Sequence, residues 1–326
     1  METTLSSQEN HRYLREKAGY FFLEDLCLIS AEGSDLFSYL QTQTTNDVNE
    51  LKPGQGQNNA IVDRKARVIS TFSLHRTGEE SAVILVETQQ KENLLNHLNS
   101  FLFREDVTLT SSSHFVLALQ GPKSHEIIKI FTRSNDSIPE KPNDICKFTF
   151  EGLPALVIAK SLTGEEGCVL AFQTESEDTI TKKLLELEQQ NLLAHIDHHA
   201  REVFRIEAGI PSYGKDINDK NILPETGLEH SSVSYNKGCY IGQEVIARIK
   251  TYGAPNFALM GLTIEGDVLP ISGSEIKLAS KKLGVIKSSI FSYSLQKNIS
   301  LAYIQKDHRS PDIDLDVTID LSLIHI

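Results

Sequence analysis

The chain has 326 residues, a length that suggests about two domains. Apolar residues make up 40% and charged residues 23% of it, which is typical of a globular protein and excludes a disordered or fibrous one. The 44 acidic and 32 basic residues give a formal net charge of −12, and no segment is dense in lysine or arginine. We therefore expect no binding to nucleic acid or to an anionic membrane, and no apolar run approaches the ~18 residues that span a bilayer.

Four cysteines, Cys27, Cys146, Cys168 and Cys239, are widely spaced, and none belongs to a CxxC pair. This spacing argues against a zinc ribbon or a cluster-binding motif, so we expect no permanent metal. It also indicates a reducing compartment. The first 17 residues are polar and partly acidic, unlike a secretory or transit peptide, so the expected location is cytoplasmic.

Strand and helix patterns alternate in the first three quarters of the chain. Apolar runs bounded by turn residues predict strands at 26–30, 68–75, 82–87, 115–119, 148–150, 155–159 and 168–172. Helical spacing predicts helices at 36–40 (capped by Ser34), 94–102, 122–131 (with Pro122 in its first turn), 176–187 (capped by Ser176) and 197–208. Hairpins mixed with crossovers predict an α+β fold rather than a doubly wound sheet.

The last quarter of the chain shows strand patterns only, at 257–264, 276–279, 283–291, 299–304 and 313–321. Glycine, proline and asparagine separate these segments, which predicts a small antiparallel β-barrel. The boundary falls at the Gly-Ala-Pro-Asn stretch 253–256, so the chain divides into residues 1–253 and 254–326.

The segment 237–248 reads Lys-Gly-Cys-Tyr-Ile-Gly-Gln-Glu-Val-Ile-Ala-Arg. Gly238 and Gly242 permit a tight backbone, and the residues after Gly242 are predicted to be helical. Cys239 then lies just before a helix N-terminus and beside Lys237, and both features favour a solvent-reachable thiolate with a depressed pKa. A glycine-flanked loop that holds a structural cysteine is the alternative, and the residue pattern leaves both open.

The predicted helix after Gly242 carries one oppositely charged pair. Glu244 and Arg248 are four residues apart, which favours an ion pair that holds the helix rather than a role in proton transfer.

Residues 209–216 nearly match a phosphate-binding P-loop, but Asp216 replaces the hydroxyl residue that would ligate magnesium. Nucleotide hydrolysis is therefore not expected.

The segment 237–248 resembles the signature of the YgfZ family of folate-binding proteins, relatives of a mitochondrial iron–sulfur assembly factor. The resemblance extends from about Leu26 to Tyr303 and is also carried by residues 43–48, 63–67, 118–122 and 205–211. It implies that Cys239 is the functional residue. The supporting residues that it implies are Lys237, Gly238, Tyr240, Gly242, Gln243, Glu244 and Arg248.

The wider superfamily includes the glycine-cleavage T-protein, an aminomethyltransferase. The resemblance implies two α+β subdomains in residues 1–253 and a C-terminal antiparallel β-barrel in 254–326, arranged around a central opening. It also implies that tetrahydrofolate or a one-carbon derivative binds there, with Arg205, Asp63 and Arg67 as candidate contacts.

Arg205 has a second interpretation. A guanidinium at this position of a helix can hold a ligand carboxylate or pterin oxygen, or it can pair with Glu202 or Glu207 of its own helix. The residue pattern leaves the two open.

The match to the T-protein breaks at two places. The paired aspartates of that enzyme align with Ser70 and Thr71, and its pterin-side tyrosine and glutamate align with Leu162 and Val169. The resemblance therefore makes aminomethyl transfer the less favoured activity of this chain.

Three hypotheses follow from the sequence. The first is a folate-binding accessory protein in assembly or repair of iron–sulfur clusters, with Cys239 as a reactive or transiently ligating thiol and with iron–sulfur enzymes or assembly factors as transient partners. The second is a folate-dependent aminomethyl or one-carbon transferase. The third is a non-catalytic binding scaffold in which Cys239 is structural.

Overall fold

The computed structural model describes residues 6–132, 138–139, 141–278, 280–310 and 313–317. Its α-helices are α1 Ser7–Glu16, α2 Leu36–Gln43, α3 Thr88–Ser100, α4 Ser124–Thr132, α5 Glu177–Gln189, α6 His198–Glu207, α7 Glu229–Ser232 and α8 Gln243–Tyr252. Its strands are β1 Gly19–Phe22, β2 Leu26–Glu32, β3 Gly56–Val62, β4 Val68–Arg76, β5 Ser81–Glu87, β6 Thr108–Ser112, β7 His114–Gln120, β8 Ile145–Phe150, β9 Leu153–Ala159, β10 Gly167–Gln173, β11 Ala194–His195, β12 Phe257–Ile264, β13 Glu275–Leu278, β14 Lys281–Ser292, β15 Lys297–Gln305 and β16 Asp316–Val317.

Two sheets form the first three quarters of the chain. The first has five antiparallel strands in the order β3-β4-β5-β2-β6, and the second has six in the order β11-β1-β7-β10-β9-β8, in which only β1 and β11 pair in parallel. Leu28 and Leu85 of the first sheet pack against Val116 and Val169 of the second. A hydrophobic core therefore lies between the two sheets.

Helices cover the outer face of each sheet. Leu40 of α2 and Leu94 of α3 pack on the first sheet, while Ile128 of α4 and Leu184 of α5 pack on the second. Their 3.6-residue apolar spacing makes one helix face available for this burial. The result is a four-layered α+β arrangement, which confirms the predicted class.

The third sheet is antiparallel, with the strand order β12-β15-β14-β13-β16. It packs on α6, where Val203 and Ile206 contact Ile290 and Leu301. The antiparallel C-terminal unit is confirmed, and β12 and β16 are the edges of the sheet in the described residues. Residues 318–321 of the predicted last strand lie outside the described ranges. The predicted boundary at 253/254 falls between the end of α8 and the start of β12.

Several predicted helix ends shift by a few residues. Asp35 rather than Ser34 is the N-cap of α2, because the Ser34 hydroxyl instead donates to the Asp106 carboxylate at 2.9 Å. Ser176 occupies the N-cap position of α5 without a side-chain capping bond, and Pro122 precedes α4. α3 ends at Ser100 rather than 102. None of the helices in the described ranges combines the length and the apolar character needed to cross a membrane.

Arg205 of α6 forms a buried ion-pair network that joins three parts of the fold. Its Nη1 donates to the Asp216 carboxylate and to the Ile210 carbonyl, each at 2.7 Å, and its Nε donates to Glu202 at 3.0 Å. The other carboxylate oxygen of Asp216 accepts from the hydroxyl of Ser288 in β14. The interpretation of Arg205 as a partner of Glu202 is therefore correct, and its donors are committed to the protein.

Glu207, the other partner considered for Arg205, lies in a separate cluster. It accepts a hydrogen bond from His11 of α1 at 3.0 Å and from Arg15 at 2.7 Å.

Although burial raises the pKa of Glu202, its hydrogen bonds and ion pairs with Arg205 and Lys215 lower it to about 2. The contribution of the charged Glu202 carboxylate to the free energy of unfolding is therefore present at neutral pH, and it is lost as the pH falls through the lowered pKa.

Asp216→Ala should therefore lower the free energy of unfolding by about 3–5 kcal/mol, because it leaves the buried Arg205 charge without its closest partner. Urea denaturation followed by circular dichroism measures the change. Lys215→Met is the matched control, since Lys215 is half exposed in its pair with Glu202 and its loss should cost under ~1 kcal/mol. Equal unfolding midpoints for the two variants would contradict the structural role of this pair.

Candidate functional site

A cavity of about 440 Å³ lies where the three sheets meet. Its walls come from the first sheet, from residues 160–162 after β9, from residues 209–211 after α6, from residues 226–232 and from β12 and β15 of the third sheet. Apolar side chains such as Leu85, Leu162 and Leu301 dominate this lining. Polar side chains such as Asn58, Thr71 and Ser73 lie among them. A cavity with apolar walls and placed polar groups is typical of a small-molecule site, and we call it the central cavity.

The positions that depart from the T-protein pattern divide between this cavity and the core. Thr71 and Leu162 line the central cavity. The resemblance aligns Thr71 with an aspartate and Leu162 with a tyrosine, so both of these side chains are absent from the two positions. Ser70 is fully buried on the other face of β4, because successive strand residues point to opposite faces. Val169 is fully buried between the two sheets.

Glu87 is the acidic residue among the side chains that line the central cavity. Its Oε1 accepts from the Tyr213 amide at 3.4 Å and its Oε2 from the Gln89 side chain at 2.7 Å. Burial raises the pKa of Glu87, and these two hydrogen bonds oppose the rise. Sequence reasoning missed Glu87, since it ends an ordinary predicted strand and belongs to no motif.

Glu87 lies beside Thr71, the position that the resemblance aligns with an acid of the T-protein. Phe72 of β4 pairs with Val86 of β5. Thr71 precedes Phe72 and Glu87 follows Val86, so the two are opposite each other in the continued antiparallel register and point to the same face. The neighbouring strand thus places a carboxyl group on this part of the wall, beside Thr71.

Lys160 is the basic residue among the cavity-lining side chains, and it lies on the loop after β9. Sequence reasoning missed it as well. Its Nζ lies 3.4 Å from the Ser73 hydroxyl, and burial lowers the pKa of Lys160 to about 8.

The segment 237–248 does not line the central cavity and packs instead on the turn between β3 and β4. Gly242 has a φ of 84° and is the N-cap of α8, which confirms the predicted helix start. A Cβ at Gly242 would lie 2.5 Å from the Asp63 carbonyl oxygen, so glycine is required for this approach. Cys239 is exposed and precedes α8, as the sequence predicts.

The side chain of Lys237 differs from the prediction. Its Nζ is buried and donates to the carbonyls of Thr44 and Asn46, both at 2.7 Å, instead of serving the Cys239 thiol. Burial lowers the pKa of Lys237 to about 8, and the Asp47 carboxylate opposes this change. Lys237 therefore holds residues 44–46 against the cysteine loop.

The other motif residues have structural surroundings. Tyr240 is buried with Leu223 and Ile246, and Gln243 donates to the Lys237 carbonyl at 3.4 Å. Both Glu244 and Arg248 are exposed, and the described ion pairs do not include one between them. The predicted ion pair is thus wrong, because two solvated side chains gain little from being held together.

The three candidate folate contacts are not brought to the central cavity. Asp63 Oδ1 accepts from the amides of Lys65 and Arg67 at 2.8 and 2.9 Å, so this carboxylate shapes the turn after β3. The Arg67 side chain is exposed, and Arg205 is committed to Asp216 and Glu202. None of the three lines the cavity, and their contact with folate stays a prediction. In the described part of the chain, no three histidine, cysteine or acidic side chains are grouped so that they could hold a metal ion.

Comparison with known proteins gives the family. Residues 2–237 match the family model of the GCVT N-terminal domain, and residues 258–324 match that of the glycine cleavage T-protein C-terminal barrel domain. The first match covers most of the chain. The chain therefore belongs to the glycine cleavage T-protein (GCVT) family.

Individual relatives agree with this assignment. An aminomethyltransferase of Bacillus cytotoxicus is 28% identical over 322 residues, which cover 96% of this chain and 86% of the relative. One from Halalkalibacterium halodurans is 28% identical over 312 residues, 93% of this chain and 83% of the relative. The crystal structure of the glycine cleavage system aminomethyltransferase T of Bartonella henselae aligns with a TM-score of 0.87 at 19% identity, over 97% of this chain and 86% of that one, which shows the same fold. The T-protein superfamily is thus confirmed, while membership of the YgfZ branch stays a prediction.

Gly242→Ala should lower the free energy of unfolding by about 1–3 kcal/mol, because alanine is strained at this φ and its Cβ would clash with the Asp63 carbonyl. Gly238→Ala is the matched control, since a Cβ at Gly238 meets no atom within 4 Å. Urea denaturation measures stability, and the rate at which Cys239 reacts with a disulfide reagent reports on the loop. If Gly238→Ala were the more damaging change, the assigned role of Gly242 would be wrong.

Proposed function

We propose that the chain binds a reduced folate in the central cavity and acts in folate-dependent one-carbon transfer, with Glu87 as the acid of the site. Support for transfer comes from relatives that carry the aminomethyltransferase name and align over nearly the whole chain. The observation that carries the proposal is the carboxyl group of Glu87 beside Thr71, in a largely apolar cavity between three sheets.

The chemistry of a pterin suits Glu87. The ring presents two adjacent N–H donors, and a carboxylate accepts such a pair with two parallel hydrogen bonds. Among the described residues, Oε1 of Glu87 accepts only the long 3.4 Å bond from the Tyr213 amide, which leaves acceptor capacity on the cavity side. Apolar walls such as Leu162 and Met260 exclude water from the ring faces and strengthen these bonds.

Glu87 also suits proton transfer near the one-carbon group. Burial raises its pKa, so the carboxyl takes up and releases a proton closer to neutral pH than an exposed glutamate does. Thr71 on the same face supplies a hydroxyl, and the Gln90 side chain fixes its backbone by accepting from the Thr71 amide at 2.8 Å. In this scheme Glu87 holds or moves the proton, and Thr71 orients the neighbouring atoms.

Glu87→Gln should weaken binding of tetrahydrofolate by about tenfold or more, because a neutral amide replaces a charged acceptor with one acceptor and one donor group. It should also abolish formation of methylene-tetrahydrofolate from an aminomethyl donor. Isothermal titration calorimetry measures the affinity. The matched control is Glu92→Gln on the exposed face of α3. Wild-type affinity and turnover in Glu87→Gln would remove Glu87 from the proposal, and absence of folate binding by the wild type would refute the proposal itself.

A second candidate function is the role in iron–sulfur cluster assembly or repair. The observation that favours it is the exposed Cys239, on a loop held by Lys237 and Gly242 and outside the central cavity. A thiol in this position is accessible to a partner protein, whereas a folate inside the cavity is not its direct neighbour. Under this hypothesis the partners are iron–sulfur enzymes or assembly factors that contact the chain transiently.

Cys239→Ala should leave the unfolding midpoint nearly unchanged, because the side chain is exposed. Under the iron–sulfur hypothesis, this variant should fail to restore iron–sulfur enzyme activities in a strain deleted for the gene. Cys146→Ala, a half-buried cysteine in β8, is the control that should restore them. Full rescue by Cys239→Ala would leave the transferase proposal or a binding scaffold and would refute a reactive-cysteine role.

A further inference from the structure

The ammonium group of Lys160 lies at the central cavity, and it has no acidic partner in the described part of the chain. Within the described ranges no carboxylate oxygen lies within 4 Å of its Nζ, and its hydrogen bond is to the Ser73 hydroxyl at 3.4 Å. Glu87 lines the same cavity beyond ion-pair distance. A lysine so placed is costly to keep charged and is usually paired.

The hydroxyl of Ser73, which contacts Lys160, is itself oriented by a hydrogen bond to His75. His75 Nδ1 lies 2.8 Å from the Asn143 carbonyl oxygen, and its Nε2 lies 2.9 Å from Ser73 Oγ. Because a carbonyl oxygen only accepts, Nδ1 carries the proton, and neutral His75 accepts from the Ser73 hydroxyl at Nε2. The lone pairs of Ser73 Oγ are then available to the ammonium of Lys160.

The electrostatics agree with this proton assignment. Burial lowers the pKa of His75 to about 3, opposed by its hydrogen bond to Asn143 and reinforced by the nearby Lys160 charge. Lys160 keeps its proton at pH 7, since its pKa is about 8. His75 is neutral at pH 7, so the positive charge of the cluster at neutral pH resides on Lys160.

The cluster depends on a close approach between the first two sheets. A Cβ at Gly56 would lie 2.2 Å from the Asn143 carbonyl oxygen and 2.4 Å from His75 Nδ1, so only glycine allows their contact. Ser73 and His75 belong to β4, while Lys160 and Asn143 belong to loops of the second sheet. The lysine is therefore held in place by residues from both walls.

We propose that Lys160 forms an anion subsite of the central cavity that binds a carboxylate group of the ligand. The inference rests on the proposed function, in which the ligand is a folate whose p-aminobenzoylglutamate end supplies the carboxylate. Glu87 then accepts from the N–H donors of the pterin, and the Lys160 ammonium binds the negatively charged carboxylate. A second, small carboxylate substrate is the other source of this chemistry.

Calorimetry on the full chain separates these sources. The probes are 5-formyltetrahydrofolate, p-aminobenzoylglutamate, glutarate and 6-methyltetrahydropterin, which has no carboxylate. Lys160→Met should weaken binding of 5-formyltetrahydrofolate and p-aminobenzoylglutamate at least tenfold and leave 6-methyltetrahydropterin unchanged. Lys52→Met, an exposed lysine outside the cavity, is the control that should change none of them.

The pH dependence gives a readout that a purely structural lysine would not move. Wild-type affinity for the carboxylate probes should fall as the pH rises through about 8, because the ammonium loses its proton there. Lys160→Arg should bind these probes with no such fall, since a guanidinium keeps its charge. Lys160→Met should also raise the unfolding midpoint at pH 7, because it removes a partly buried charge that has no counter-ion among the described residues.

The outcomes separate this inference from the proposed function. If Lys160→Met binds 5-formyltetrahydrofolate as tightly as the wild type, the anion subsite is wrong and folate binding stands. If the wild type binds no folate but binds glutarate in a Lys160-dependent way, the subsite stands and serves a small carboxylate. Lack of Lys160-dependent binding for every carboxylate probe overturns the inference.

Discussion

The central cavity depends on the buried ion pair between Arg205 and Asp216. Arg205 holds the Ile210 carbonyl, and Asp216 accepts from the Ser212 amide, so the pair sets the path of residues 210–216. This loop contributes a wall of the cavity, and its Tyr213 amide donates to Glu87. Ser288 joins the third sheet to the same pair. The ion pair thus positions both the cavity and its acid.

The described lining of the central cavity carries one charge of each sign. Glu87 comes from β5 of the first sheet and Lys160 from the loop after β9 of the second, with a mostly apolar lining around them. The cavity therefore favours a ligand that presents both N–H donors and an acceptor or anion. This is the chemistry of a folate, and it supports a binding role even where the T-protein acids are absent.

The exposed Cys239 belongs to a different surface. Lys237 is bound to the carbonyls of Thr44 and Asn46, and Gly242 rests on Asp63, so the cysteine loop is held by backbone contacts with the first sheet. Asn46 in turn donates to the Asn58 carbonyl, and Asn58 lines the central cavity. A short path of hydrogen bonds therefore connects the cysteine loop to the wall of the cavity, although the two sites face different surroundings.

The sequence by itself determined the α+β class, the antiparallel C-terminal unit, many of the strands and helices and the helix that begins after Gly242, whereas it did not predict α1, β1, β3 or β6. Apolar periodicity and turn residues carry this information because they act over a few neighbouring positions. Only the tertiary structure decided which charges meet. Lys237 is 191 positions from Asn46, and Lys160 is 87 positions from Ser73. Burial and long-range hydrogen bonding therefore pair Arg205 with Asp216 and direct the Lys237 ammonium to two carbonyls rather than to the thiol. They also place Glu87 and Lys160 in the wall of the central cavity.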